Sequence, residues 1–69
     1  MWTVYDHPKD YPHCFVARQW VISKGQERPT ANVIVGPNLE SVRLILAQYG
    51  LSRIPRDLSD DPVIVETWL

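Results

Sequence analysis

The sequence predicts an α+β fold of order β-β-β-α-β: a small, mostly antiparallel sheet with one helix packed on one face. Three features predict it. Runs rich in β-branched and aromatic residues fill the first half of the chain. One apolar stripe of helical spacing follows, from Leu39 to Tyr49. A last β-type run, Val63 to Leu69, comes after it. Strands grouped ahead of one helix, rather than alternating with several, give the α+β class.

Trp2-Thr3-Val4-Tyr5 forms the first strand. It is stopped by Asp6-His7-Pro8-Lys9-Asp10-Tyr11-Pro12, where two prolines and two aspartates oppose both helix and central strand. Cys14 to Ile22 reads as a long second strand, and Ser23 to Arg28 as a longer hairpin loop containing Gly25. Thr30 to Val35 is the third strand, ended by Gly36-Pro37.

Asn38 is a good N-cap, and Glu40 places an acid in the first turn, where the helix dipole favours it. Leu39, Val42, Ile45, Leu46 and Tyr49 make the apolar stripe of a helix from residue 39 to 49. Gly50 suits a left-handed C′ position, with Leu51 folding back on Leu46. Leu51 to Asp61 reads as a loop, and Pro62 opens the final strand, where no ladder donor is needed. A helical crossover of the preferred right hand then sets the last strand parallel to the first and third. It docks beside one of them, the first being favoured.

The chain has 69 residues, enough for a single domain. An apolar fraction of 45% with a net charge of -1 describes a folding chain rather than a disordered one. A chain this short buries only about 60% of its unfolded surface, so its stability is marginal without a staple or a partner. Cys14 is the single cysteine, which rules out an internal disulfide and fits a reducing compartment. The longest apolar run, Leu44-Ile45-Leu46-Ala47, is far too short for a membrane helix. No basic start followed by an apolar stretch marks a signal peptide, so a soluble, cytoplasmic protein is expected. The near-zero charge argues against non-specific nucleic-acid binding and permits self-association.

Candidate chemistry is sparse. His7, His13 and Cys14 are the cluster most capable of holding a metal, but the His-x5-His-Cys spacing and the ligand number fall short of a zinc site. His13 beside Cys14 on a strand lacks the contact and the orienting third group of a nucleophile pair. Asp57, Asp60 and Asp61 lack the alternating acids and glycine of a calcium loop. Gly36-Pro37-Asn38 holds one glycine, too few for a phosphate loop. No catalytic constellation, cofactor or metal is expected. Arg53 and Arg56, with Tyr11 or Tyr49 to stack on, offer an alternative nucleic-acid or small-ligand site, opposed by the acids nearby.

The strands have two faces. Small and β-branched residues suit the side beneath a helix, which places Phe15, Ala17, Val21, Val33, Val35, Val63, Val65 and Val4 inward. Gln19 fits that side poorly unless a β-bulge intervenes. The other face then holds Thr3, Tyr5, Val16, Arg18, Trp20, Ile34, Ile64, Glu66 and Trp68, with no second helix to cover it. An apolar, aromatic face of this kind marks an interaction surface. Tyr5, Arg18, Trp20, Glu66 and Trp68 are its expected contact residues. The expected partner is an unknown protein or a second copy of the chain.

Val4-Tyr5-Asp6-His7-Pro8, Phe15-Val16-Ala17-Arg18-Gln19-Trp20 and Asp60-Asp61-Pro62-Val63-Ile64-Val65-Glu66-Thr67-Trp68 together resemble a group of small uncharacterised bacterial proteins. The likeness spans nearly the whole chain and implies a complete, independently folding protein. It implies no activity, ligand or catalytic residue.

Overall fold

A computed structural model describes residues 1–56 and 61–69. Five strands and one helix follow in the order β1 (Trp2–Asp6), β2 (Phe15–Ser23), β3 (Gln26–Gly36), α1 (Leu39–Gln48), β4 (Arg53–Pro55) and β5 (Ile64–Trp68). They form one sheet of order β3-β2-β1-β5-β4, antiparallel at every pairing, with the helix against one face. The α+β class and the place of the last strand beside the first are as the sequence predicts.

The direction of that last strand is not. β5 runs antiparallel to β1, because a short strand precedes it in the segment expected to be loop. The helix carries the chain from β3 to β4, and β4 is the strand that runs parallel to β1 and β3. β5 then turns back and fills the place between β1 and β4. Asp57 and Asp60 lie outside the described residues.

The second correction is at the β2–β3 hairpin. The strands continue to Ser23 and Gln26, and a two-residue turn joins them at Lys24 (φ 53°) and Gly25 (φ 75°). Positive φ at both central residues is a type I′ turn, whose twist matches that of the strands.

The helix follows its sequence signals closely. Asn38 Oδ1 accepts the Ser41 N–H at 2.9 Å, closing the N-terminus. Gly50 takes φ 75° and its N–H donates to the Ala47 carbonyl at 3.1 Å. Val42 and Leu46 are fully buried, and Leu39 and Leu51 pack against the same cluster. Burying a side chain of that size contributes about 1.5–3 kcal/mol. On the sheet side the core holds Val4, Ala17, Trp2 and Trp68. Gly36 lets helix and sheet approach: a Cβ there would lie 2.7 Å from Ser41 Oγ and 2.9 Å from Val42 Cγ2.

Candidate interaction face

Register divides the sheet side chains into two sets, since directly paired residues share a face. Ile34, Ala17, Val4 and Glu66 lie in one cross-strand row, and Trp2 and Trp68 in the next; both rows face the helix. On the opposite face one row holds Ile64, Tyr5, Val16 and Val35. Its neighbour holds Ile54, Thr67, Thr3, Arg18 and Val33. Met1 and Trp20 pair through backbone bonds of 2.7 and 3.3 Å, bringing Trp20 into a third row.

Three of the five expected contact residues, Tyr5, Arg18 and Trp20, therefore do share the helix-free face. The other two do not. Glu66 is 2% exposed and Trp68 7% exposed, both beneath the helix. Ile34 also belongs to the helix side, while Val33 and Val35 take the face assigned to it.

The physical reasons are specific. In β5 the alternation is as read for Ile64 and Val65, but the register shifts opposite Val4 and Tyr5. Val65 is the extra residue of a bulge, so every side chain after it changes sides. Glu66 can enter the interior because its charge is met there. Arg43 of the helix donates Nη2 to Oε1 at 2.6 Å and Nε to Oε2 at 3.1 Å, and Trp68 Nε1 donates to Oε2 at 2.7 Å. Burial pushes the Glu66 carboxyl up, but the Arg43 and Trp68 hydrogen bonds and the Arg43 and Arg53 charges outweigh it and hold it below its ordinary value.

In β3 the residues between Pro29 and Val33 form a second irregularity, set against Gln19 alone. Gln19 stays on the helix side, where Asn32 Nδ2 and Thr30 Oγ1 donate to its Oε1 at 2.8 and 3.4 Å. A polar side chain at an inward position is thus satisfied by the bulged strand, with no flip of β2. One sequence signal did mark the β3 parity: Gly36 sits where the helix closes on the sheet, and Ile34 shares its side.

The helix-free face is apolar and half-open. Val16, at its centre, is fully buried. Beside it Val35 is 42% exposed, and Ile54 on the far strand β4 41%; Ile22 and Leu69, on the same side by alternation, are 65% and 57% exposed. Arg18 is the one charged side chain of these rows among the described residues, and its Nη2 donates to Asp10 Oδ2 of the β1–β2 connection at 2.8 Å. The Trp20 indole N–H is buried without an acceptor among the described residues.

The other candidates are scattered. The His7 ring nitrogen donates to the Asp6 carboxylate and the ring stacks edge-on against Phe15 at 5.1 Å. Among the described residues no three His, Cys, Asp or Glu side chains come together to hold a metal ion, and no enclosed pocket is formed. Arg53 stands 3.8 Å from Glu66 on the helix side, and Arg56 is exposed beyond the end of β4. No helix among the described residues is long and apolar enough to cross a membrane. Compared with known proteins, the chain matches no family model, no curated protein and no solved structure.

Proposed function

We propose that this chain is a small non-catalytic interaction module that docks a protein partner through the helix-free face of its sheet. The observation that carries the reading is the distribution of exposed large apolar side chains. Of the eight among the described residues, Ile22, Val35, Ile54 and Leu69 lie on this one face. They lie in or beside the apolar row of Val35, Val16, Tyr5 and Ile64, and an apolar face of this kind marks an interaction surface. Tyr5 and Trp20 supply aromatic area within it, and Arg18, held by Asp10, supplies one fixed polar group. The lone Cys14 suits work in a reducing compartment such as the cytoplasm.

A photo-reactive benzoylphenylalanine tests this when placed singly at positions 35, 54 and 44 of the full chain in cells. Leu44 is equally apolar and exposed, but lies on the helix. Adducts from positions 35 and 54, with none from 44, are the expected result. Equal adducts from all three, or adducts from 44 alone, would overturn the reading.

A further inference from the structure

The open question on this face is what covers it. Strand addition at the sheet edges is the first way a β-protein could take a partner, and both edges are built against it. The β3 edge carries Glu27, Arg28 and Pro29 followed by an irregular stretch, and β4 is three residues long with Arg53 and Pro55. Proline cannot donate to a ladder and charges resist pairing. The face has no such protection, so docking there is by side-chain packing of sheet on sheet.

Resting on the docking reading above, we infer that the occupant is a second copy of this chain, packed face to face about a twofold axis. Charge is the first reason. A twofold contact sets a surface against itself, so any uncompensated charge on it meets its own image. Here the one charged side chain of the central rows, Arg18, is already neutralised by Asp10 at 2.8 Å. The chain as a whole carries a net charge of only -1, which leaves little repulsion between copies. A surface made to select a charged foreign partner would hold free charges for steering it. Among the described residues the central rows hold none, and the one further charge beside Ile22, Glu27, lies out at the hairpin end of the face.

Area is the second reason. A standard interface removes about 800 Å² from each partner. The molecule exposes 4764 Å² within extents of 34 × 25 × 25 Å. One side of such a block is at most about a sixth of the whole, which matches the 800 Å² required only if the contact takes in the full side of the sheet, margins included. Two antiparallel sheets packed about 10 Å apart, with strands offset by about 30°, form an ordinary sandwich. In that arrangement the row of Val35, Val16, Tyr5 and Ile64 enters a shared core, with Ile54 at its β4 margin. The gain in buried surface also offsets the small core of a 69-residue chain.

Sedimentation equilibrium of the full chain, from micromolar to about millimolar, tests the inference. The expected result is a species of twice the 8.0 kDa chain mass. Val35→Lys and Ile54→Lys should each raise the dimer dissociation constant at least tenfold while circular dichroism stays native. Leu44→Lys should leave it within twofold. A wild-type chain that stays monomeric throughout would overturn self-pairing, as would a dimer that both face variants leave intact. A monomer that still gives photo-adducts of foreign mass from positions 35 and 54 would overturn the second copy and keep the docking face. A monomer without face-selective adducts would overturn both.

Discussion

Arg43 and Glu66 form a two-pronged ion pair that ties the helix to β5, with Nη2–Oε1 at 2.6 Å and Nε–Oε2 at 3.1 Å. The carboxylate is almost wholly removed from water, and Trp68 Nε1 satisfies it from the same strand. This contact decides which side of β5 belongs to the core. Buried ion pairs add little net stability over an apolar replacement, but removing one partner is expensive. Glu66 therefore acts as a register pin: a slip of β5 by one residue would expose Trp68 and strand Arg43.

The pair makes stability pH-dependent in a definite direction. The folded-state carboxyl of Glu66 is held below its ordinary value, so its contribution is complete above the unfolded value of about 4.3 and is lost as pH falls through the lower folded value. Glu66→Gln should cost about 1–3 kcal/mol at neutral pH. Urea unfolding at pH 7 and at pH 3 checks it: the gap between wild type and variant should narrow in acid. A gap that widens in acid would contradict the assignment.

The Arg43 side is asymmetric. Arg43→Met leaves a buried carboxylate with only Trp68 and the more distant Arg53 guanidinium, so it should cost about 3 kcal/mol, more than Glu66→Gln. A double variant, Arg43→Met with Glu66→Gln, should recover part of that loss. Thermal unfolding of the three variants measures the coupling.

Gly36 and Gly25 are needed for different reasons, and one substitution series separates them. At Gly36 an added Cβ meets Ser41 Oγ and Val42 Cγ2, so Gly36→Ala should cost about 1–3 kcal/mol, with Gly36→Asn no better. Gly25 has open space around it but a φ of 75°, so Gly25→Ala should cost about 1–2 kcal/mol through the backbone alone. Asn tolerates that conformation, and Gly25→Asn should therefore lose less. Denaturation midpoints for the four variants report the pattern.

The N-cap offers a simpler check. Asn38→Ala removes the 2.9 Å bond to the Ser41 N–H and should cost about 1 kcal/mol, while Asn38→Asp should keep most of it. Equal losses in both would mean that the cap bond does not hold the helix start.

What the sequence made legible follows the range of the interactions concerned. The helix was readable because its signals are local: Asn38, the stripe through Val42 and Leu46, and Gly50 lie within thirteen residues of one another. The strands are legible as strands, and the inward side of β2 with them, because alternation is also local. Register is not. The bulge at Val65 depends on pairing with Val4 and Tyr5 some sixty residues earlier, and it reverses Glu66 and Trp68. The sides of Ile34 and Val35 follow from the two-residue turn at Lys24 and Gly25, which sets Trp20 against Pro29; the irregularity opposite Gln19 adds two residues and leaves that alternation unchanged. β4 is not legible, because three residues containing a proline carry almost no strand signal. The helix-free face was thus found, but with Glu66 and Trp68 standing where Val33, Val35 and Ile54 belong.

Ile34 and Val35 are adjacent β-branched residues on one strand, and the two-sidedness of the sheet rests on their pointing opposite ways. The most direct test of the account is the urea unfolding midpoint of Ile34→Lys beside that of Val35→Lys, at low micromolar concentration. Ile34 packs against the helix-side core, so its lysine variant should lose about 2 kcal/mol or more. Val35 lies exposed on the helix-free face, so its variant should stay folded within about 1 kcal/mol of wild type. The reverse order, with Val35→Lys unfolded and Ile34→Lys native, would put the core on the other side of the sheet and contradict the docking face altogether.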